Sequence, residues 1–315
     1  MTANPVVKPR RFDRDVDGIL LLDKHSGVTS NAALQQVRVL FRALKAGHAG
    51  SLDPMATGML PVCFGQATKV CGFLLDARKS YQFTARFGER TDTGDADGTI
   101  VERMEVPVIT ESQILALLRA SLGEQAQVPP MYSALKHQGQ RLYQLARRGE
   151  NVERAPRQIV LEELALIRFS GNELELTVRC SKGTYVRTLA EDLAKGLGTV
   201  AHLTVLRRLQ VDPFAGRAMH SLDELAARAT QGLEALDEWL IPADQALAHV
   251  PAVEFDLAGQ QALSQGKNVL GLGAAQVGQL VRMYGPNRLF LGLGEGAAAG
   301  LVHPRRLFVK SPPVQ

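Results

Sequence analysis

The stretch GHAGSLDPMAT, residues 47–57, places the carboxylate of Asp53 in a loop that neither helix nor strand chemistry favours. Gly47 and Gly50 free the backbone, while Pro54 fixes its own φ and pushes Asp53 towards an extended conformation. An Asp held on a stiff connection between core elements is a candidate catalytic group, because function concentrates on loops that a scaffold supports. An ordinary Asp-Pro turn is the alternative.

Core elements are predicted on both sides of this loop. Ser30 and Asn31 are candidate caps of a preceding helix. The apolar positions of that helix recur at helical spacing and are Leu34, Val37, Phe41 and Leu44. The segment from Gly58 to Phe64 is apolar enough to form a buried strand. The loop is therefore predicted to join a helix to a buried strand.

Strand and helix patterns follow one another through the next part of the chain. Residues 81–87 alternate with the period of a half-buried strand, and a polar loop is predicted after them. Thr110 and Gln113 form a capping box for a helix. Residues 157–180 are predicted to form a hairpin that turns at Gly171-Asn172. The helix after it has the apolar stripe Val186, Leu189, Leu193 and Leu197. This order predicts an α+β protein.

Composition is typical of an ordinary globular chain and favours a polyanionic partner without demonstrating one. The 315 residues allow about two domains, and 36 Lys and Arg against 32 Asp and Glu give a net charge of +4. Basic residues are concentrated between Ser133 and Arg157, where they are Lys136, Arg141, Arg147, Arg148, Arg154 and Arg157. This stretch is a candidate nucleic-acid contact, and a merely solvated basic segment is the alternative.

Several classes of site are not expected. The cysteines Cys63, Cys71 and Cys180 form no CxxC pair, so neither a structural zinc nor a disulfide framework is predicted. The TGDADG segment starting at Thr93 imitates a calcium loop but has Met104 where a Glu is required. No apolar signal core or membrane-spanning run occurs, so we expect a cytoplasmic protein without metal or cofactor, with residues 1–17 as a loose, partly ordered leader.

Several separated segments resemble one known family. GHAGSLDPMATGML at residues 47–60 resembles the active-site loop of the TruB family of tRNA pseudouridine synthases, and CSKGTYVR at residues 180–187 resembles its basic motif. Further agreement lies, in family order, in GILLLDK (18–24), RTDTGDADG (90–98), PPMYSALK (129–136) and LRR (206–208). His25 stands where a proline commonly follows the lysine, and Ala49 where threonine is usual. Neither departure removes a group that the reaction needs.

The resemblance implies a fold and a division into domains. It implies the pseudouridine synthase fold, with a mixed, mainly antiparallel central sheet flanked by helices and loops. The catalytic domain is predicted over residues 18–248, with an RNA-clamping segment at about 125–157. Pro242 and Pro251 predict a domain boundary near residues 245–252. Residues 249–315 resemble a small PUA-like RNA-binding β-barrel. A purely structural cap is the alternative for this last part.

The resemblance also implies an activity, the isomerisation of uridine to pseudouridine at position 55 in the T loop of tRNA. Such a reaction needs an anionic group beside the sugar and the base, and Asp53 is the candidate. By family correspondence Tyr81 stacks on the target base and is the candidate to assist removal of the C5 proton. Tyr185 and Leu206 line the pocket in family members, and His48 contacts RNA. Without the family, Tyr81 and Leu206 are equally consistent with ordinary core residues.

Arg187 is predicted to be the partner of Asp53. It lies in the first turn of its helix but off the apolar stripe. A helix N-terminus favours anions, so a cation there needs a partner outside the helix. A bidentate guanidinium would orient the Asp53 carboxylate and keep it ionised when RNA displaces water. A solvent-exposed arginine is the alternative.

The partner implied is the T-arm stem-loop of tRNA, bound by a monomer, with the target base turned out of its stack. The candidate RNA contacts are Lys24, Lys136, Arg141, Arg147, Arg148 and Lys182. Two other functions stay open from the sequence. One is the catalytic subunit of a guide-RNA-dependent synthase, and the other is a non-catalytic RNA-folding protein that uses the same surface.

Overall fold

A computed structural model describes residues 12–273 and 275–308 of the chain, which form two β-sheets with helices packed around them. The strands of the first part are β1 Gly18–Lys24, β2 Ala46–His48, β3 Thr57–Phe64, β4 Lys79–Phe87, β5 Glu89–Thr91, β6 Ile100–Arg103, β7 Gly123–Gln127, β8 Lys136–His137, β9 Gln140–Arg141, β10 Arg157–Ser170, β11 Glu173–Cys180 and β12 Ala201–Val211. Those of the second part are β13 Ala252–Glu254, β14 Val269–Leu270, β15 Leu280–Tyr284, β16 Phe290–Gly296 and β17 Leu301–Leu307. The helices are α1 Ser30–Leu40, α2 Cys71–Asp76, α3 Glu111–Ala120, α4 Leu142–Ala146, α5 Val186–Gly196, α6 Leu222–Ala229, α7 Leu233–Asp237 and α8 Leu257–Ser264.

The central sheet has eight strands in the order β1-β3-β12-β4-β11-β10-β7, with β2 paired to β3. β3 and β12 run parallel, and the other neighbours run antiparallel. The main core lies between this sheet and helices that include α1, α3 and α5, and it contains Phe83, Leu176 and Leu193. The predicted α+β class and the mixed, mainly antiparallel central sheet are therefore confirmed.

Helix α1 begins and ends differently from the prediction. Thr29 caps it, because the Thr29 hydroxyl accepts a hydrogen bond from the Ala32 amide at 3.1 Å. The hydroxyl of Ser30, a predicted cap, instead donates to the Leu52 carbonyl and accepts from the Leu52 amide. Asn31 lies inside the helix. The helix ends at Leu40, so Leu44 lies outside it and is 52% exposed rather than part of the apolar stripe.

Two other local predictions, the capping box and the long hairpin, are confirmed. The capping box of Thr110 and Gln113 is present at the start of α3. The hairpin turns between Ser170 and Glu173, as its turn sequence predicts. The polar loop predicted after β4, through Gly98, contains strand β5, which pairs with β6 just beyond the loop. The three residues of β5 are too polar to give a strand signal, and Ile100 and Val101 of β6 are exposed rather than part of the core.

The C-terminal sheet has five strands in the order β13-β15-β16-β17-β14 and its own small apolar core. Leu293 on β16 also belongs to a cluster with Ile19 and Leu21 of β1, so this sheet packs against the central one. The last part of the predicted leader is ordered, since Val16 is 5% exposed and Arg14 pairs with Asp237 at 2.5 Å. Residues 1–11 and 309–315 lie outside the described residues.

Gly58 is required where β3 meets β12 in parallel. Its φ is +99°, and an added Cβ would lie 2.2 Å from the Arg208 carbonyl oxygen. We expect Gly58→Ala to lower the free energy of unfolding by at least about 2 kcal/mol more than Gly123→Ala, since overpacking adds to backbone strain. Gly123 has a φ of +92° but no atom within 4 Å of the added carbon. Urea unfolding measures both variants, and equal losses would contradict this account.

Candidate active site

The Asp53 loop joins β2 to β3, and a buried lysine holds it through hydrogen bonds to backbone carbonyls. The Lys24 ammonium donates to the carbonyls of Pro54 at 3.1 Å, Val28 at 2.8 Å and His25 at 2.9 Å. Lys24 is 0% exposed. The prediction that Lys24 contacts RNA is therefore wrong for this structure, because the side chain has no accessible surface and its donors are occupied by the loop. Its role is to hold the chain that carries Asp53.

A buried arginine fastens the same loop on its other side. The Arg208 Nε donates to the Met59 carbonyl at 2.6 Å, and its Nη2 donates to the Gly50 carbonyl at 2.9 Å. Ser30 adds the two hydrogen bonds to Leu52 described above. The residues immediately before and after Asp53 are thus tied to α1, β1 and β12, which explains how a loop can hold a carboxylate in one place.

Asp53 and Arg187 form the ion pair that the sequence predicts across 134 positions. The Arg187 Nε lies 2.9 Å from Asp53 Oδ2, and its Nη2 donates to Oδ1 at 3.1 Å. The pair is bidentate, which fixes the orientation of the carboxylate as well as its charge. The Arg187 side chain is 5% exposed, so the alternative of a solvent-exposed arginine is wrong.

Arg187 connects three segments of the chain at this point. Its Nη1 donates to the Thr93 carbonyl at 2.7 Å, and its Nη2 donates to the Tyr132 carbonyl at 2.7 Å. The carboxylate of Asp95, which is buried, lies 3.8 Å from Nε. The guanidinium therefore ties the Asp53 loop to the loop after β5 and to the start of the basic segment.

The ionisation of Asp53 reflects two opposing effects. Burial raises the pKa of the Asp53 carboxyl, and the nearby charge of Asp95 adds to this. The Arg187 cation and its hydrogen bonds lower the same pKa. Arg187 is thus the main group that favours the carboxylate at neutral pH.

Tyr81 and Leu206 lie on neighbouring strands beside this pair. Tyr81 on β4 is 8% exposed and faces Arg208 across the antiparallel pairing with β12. Burial raises the pKa of the Tyr81 phenol, and the charge of Asp53 acts in the same direction. Leu206, two residues before Arg208 on β12, is 6% exposed and shares its face of the sheet. The structure therefore brings Tyr81 and Leu206 to the Asp53 side of the sheet.

Tyr185 and His48 complete the set of predicted pocket residues. The backbone of Tyr185 is held by the Gln127 side chain, which accepts from its amide at 2.8 Å and donates to its carbonyl at 3.2 Å. Burial raises the pKa of the Tyr185 phenol. His48 is half-buried at the end of β2, and burial, with Arg208 and Arg141 nearby, lowers its pKa. His48 is therefore neutral at pH 7.

The remaining predicted RNA contacts are exposed cations at the surface. Lys136, Arg141, Arg147 and Arg148 lie on or beside the hairpin of β8 and β9 and helix α4. Lys182 is also exposed and forms a surface ion pair with Asp76 at 3.0 Å. Their exposure is what a contact with a polyanion requires, whereas Lys24 does not share it.

Some residues of the site were missed by sequence reasoning. Asp95 lies in the RTDTGDADG segment, whose agreement with the family was the signal that could have identified it. Arg208 lies in the LRR segment and was not given a role. Ser30 and Gln127 carried no signal, because a single hydroxyl or amide that bonds to a distant backbone leaves no pattern in the sequence. Among residues 12–273 and 275–308 no cluster of His, Cys, Asp and Glu is arranged to hold a metal ion.

Lys24 predicts a specific pH dependence of stability. Burial lowers the pKa of Lys24 from 10.5 to about 8. Between these values the unfolded chain binds more protons at this position than the folded chain, so this group makes stability rise with pH. We expect the slope of unfolding free energy against pH, from pH 8.5 to 9.5, to be about 1.4 kcal/mol per unit less positive in Lys24→Met than in the unmodified chain. Urea unfolding measures the slopes. Lys136→Met, at an exposed position, is the control, and an unchanged slope in Lys24→Met would contradict the prediction.

No helix among the described residues is both long and apolar enough to cross a membrane.

Known protein families match consecutive parts of the chain. The description "TruB family pseudouridylate synthase (N terminal domain)" matches residues 38–186. "tRNA pseudouridylate synthase B C-terminal domain" matches residues 187–248, and "Pseudouridine synthase II TruB, C-terminal" matches residues 251–308. Together these matches include every residue of the ion pair and of the pocket described above.

Curated proteins named tRNA pseudouridine synthase B are similar along nearly the whole length. The protein of Chromohalobacter salexigens is 50% identical over 302 residues, which are 95% of this chain and 96% of that protein. The protein of Nitrosococcus oceani is 48% identical over 301 residues, covering 95% and 97%. The protein of Yersinia pestis is 46% identical over 315 residues, covering 98% and 97%.

Solved structures share the fold at lower identity. The archaeal box H/ACA sRNP Nop10-Cbf5 complex contains a chain with a TM-score of 0.71 at 22% identity, covering 98% of this chain and 93% of that one. The H/ACA RNP bound to a substrate RNA containing 2'-deoxyuridine gives a TM-score of 0.72 at 20% identity, covering 96% and 93%. Likeness at this identity establishes the fold alone.

Proposed function

We propose, on the premise that this chain belongs to the TruB family of tRNA pseudouridine synthases, that the uridine it isomerises lies at position 55 in the T loop of tRNA. The observation that carries the proposal is the bidentate pair of Asp53 and Arg187, held by buried cations and flanked by Tyr81. This is an anion that is oriented by a buried guanidinium, partly exposed to solvent and placed beside an aromatic side chain. Such a group suits attack on a sugar or base that has been turned out of an RNA stack.

The reaction divides into steps that this site can serve. The bond from C1′ to N1 of the uridine breaks, the uracil turns, and C1′ forms a bond to C5. Asp53 supplies the anionic group at the sugar or base during this exchange. A proton then leaves C5, and we assign Tyr81 to assist that transfer. Electrons are only rearranged within the nucleoside, so the residues named here need no external oxidant or reductant.

The pocket residues have positions that fit the proposed roles. Tyr81 offers a ring face for stacking on the base, while Tyr185 and Leu206 line the space beside it. We assign His48, which is half-buried at the end of β2, to contact the RNA near the extruded nucleotide. Turning a base out of its stack costs a few kcal/mol, which aromatic and basic contacts can offset.

The surface outside the pocket is proposed to bind the T arm. Residues 18–248 form the catalytic domain, and the exposed cations of the segment at about 125–157 contact RNA phosphates. Residues 249–315 are a PUA-like domain that adds RNA contacts. We expect a monomer that acts in the cytoplasm. A guide-RNA-dependent catalytic subunit and a purely RNA-folding protein are the other outcomes that the following experiment can show.

The experiment uses the purified chain and an unmodified tRNA transcript, without guide RNA or other protein. We expect pseudouridine at position 55 alone when modified positions are mapped, and the same product on an isolated T-arm stem-loop. A transcript with cytidine at position 55 is the control and should yield none. Product elsewhere in the tRNA, or activity that needs a guide RNA, would overturn the assignment. RNA refolding without any product would indicate the non-catalytic alternative.

A further inference from the structure

Arg208 is a buried cation whose surroundings do not neutralise it. Its exposed fraction is 1%, and the ion pairs formed among residues 12–273 and 275–308 do not include it. Two other cations, Lys24 and Lys79, lie close enough for the charge of Arg208 to lower the pKa of each. A buried charge without a carboxylate is costly, so a merely structural role would be served better by a neutral donor.

The loop contacts described above use only part of the guanidinium. Nε and one Nη2 hydrogen hold the carbonyls of Met59 and Gly50. A guanidinium has five N–H donors, so others stay available for a group on the same face of the sheet.

Tyr81 is that group. Arg208 and Tyr81 stand directly opposite each other in the antiparallel pairing of β12 and β4, which places both side chains on one face. The guanidinium lies close enough to the Tyr81 hydroxyl to lower the pKa of the phenol. The other titratable groups that face the phenol are Cys180 on β11 and Asp53 in the loop. Burial raises the pKa of Cys180 to about 11, so this thiol is neutral at pH 7. The charged groups that act on the Tyr81 hydroxyl are then the Arg208 cation and the Asp53 carboxylate.

We propose that Arg208 is a positioning residue for Tyr81, whose phenol it fixes beside the target uracil and whose phenolate it favours as the acceptor of the C5 proton. This inference rests on the function proposed above for the site. It gives one guanidinium two tasks, since the same side chain fastens the Asp53 loop through Gly50 and Met59. The group that is to act on the base and the group that is to act on the sugar are thereby fixed relative to each other.

The proton transfer is balanced within the nucleoside. After C5 has bonded to C1′, C5 carries both the sugar and a hydrogen, and the ring has a double bond between N1 and C6. The C5–H bond breaks, its proton goes to the Tyr81 phenolate, and its electron pair forms the double bond between C5 and C6. The electron pair between N1 and C6 moves to N1, which takes a proton from water. Tyr81 then returns its proton to solvent.

The expected effect on Tyr81 has a definite sign. Burial is the main cause that raises the pKa of Tyr81, and Arg208 is the main group that lowers it. Removing the cation should therefore raise that pKa further, and each unit reduces the phenolate fraction about tenfold. Arg208→Gln is the variant of choice, because an amide can still donate to a loop carbonyl while carrying no charge.

The first test follows the titration of Tyr81 directly and needs no substrate. The chain is labelled with 3-fluorotyrosine, and Tyr81→Phe assigns one of the five tyrosine resonances in fluorine NMR spectra. We expect the Tyr81 midpoint to rise by at least about one pH unit in Arg208→Gln, and by less than about half a unit in Arg208→Lys, which keeps the charge. Lys79→Met is the control, since Lys79 has a pKa of about 8 and is already neutral where Tyr81 titrates.

The second test measures whether Arg208 acts through Tyr81. In single-turnover assays on the T-arm stem-loop, Arg208→Gln should slow product formation at least about tenfold when Tyr81 is present. In a Tyr81→Phe background the same change should cost less than about threefold, because coupled residues are non-additive. Equal losses in both backgrounds, or an unmoved Tyr81 midpoint, would overturn the proposal. If Arg208→Gln does not fold, the same comparisons are made with Arg208→Lys, for which a midpoint shift above one unit would overturn it. An unmodified chain without product would refute the proposed function instead, and the titration would still be read.

Discussion

Asp53→Asn is expected to abolish pseudouridine formation, with a loss of at least about 10³-fold in single-turnover rate, while leaving RNA binding within about threefold. The amide has the shape of the carboxylate and can still accept a hydrogen bond from Arg187, so the loop should keep its place. What it lacks is the negative charge that the reaction needs. The measurement is conversion of a labelled T-arm stem-loop, with binding followed separately by filter retention.

The matched control for this change is Asp23→Asn. Asp23 also forms a bidentate pair, with its two oxygens 2.9 and 2.7 Å from the Arg207 guanidinium, and Arg207 lies between Leu206 and Arg208 on β12, so it is on the opposite face of the sheet. We expect its activity to stay within about threefold of the unmodified chain, since a partly exposed pair contributes about 1 kcal/mol or less. If Asp53→Asn formed product at an unchanged rate, the role assigned to Asp53 would be refuted.

Arg187→Met is expected to have the second largest effect. At pH 7 its single-turnover rate should fall at least about 10²-fold, because loss of the cation raises the pKa of Asp53 above its already raised value. The sign of the pH response follows from this. A carboxylate with a higher pKa needs a higher pH to ionise, so part of the lost rate should return as the pH is raised through that pKa. The measurement is a pH–rate profile from pH 5 to 9.

The loss of unfolding free energy should distinguish the pair of Asp53 and Arg187 from a more exposed ion pair. Arg187→Met leaves the buried carboxylate of Asp95 and the partly exposed carboxylate of Asp53 without their buried cation, which should cost about 3 kcal/mol. Arg207→Met is the control, because the pair of Arg207 and Asp23 is about one third exposed and should cost about 1 kcal/mol or less. Urea unfolding measures both variants. Full activity in Arg187→Met, or an identical stability loss in both variants, would contradict the role given to this guanidinium.

Two local features of the sequence single out Asp53 and Arg187, and the family resemblance made them a predicted pair. The glycines and the proline around Asp53 restrict its backbone, and a cation in the first turn of a helix needs an outside partner. The long hairpin and the capping box were also predictable, because each depends on neighbours in the chain. The family resemblance supplied the rest of the site, including Tyr81 and Tyr185.

Other features depend on contacts between distant segments and left no local pattern. Thr29 and Ser30 are equally good caps by chemistry, and only the position of Leu52 decides that Ser30 bonds to the loop. Lys24 is a cation, the type of residue expected to contact RNA, and only its place on the packed strand β1 shows that it is buried. Strand β5 is polar and only three residues long, so its sequence gave no strand signal.

The most direct measurement is the structure of Asp53→Asn bound to an unmodified T-arm stem-loop. The account predicts that the uracil of residue 55 lies out of its stack against Tyr81, with C1′ or C6 about 3.5 Å from the side chain at position 53 and Arg187 still paired to it. A target base that stays stacked in the loop, or that enters a different cavity away from position 53, would contradict the central claim.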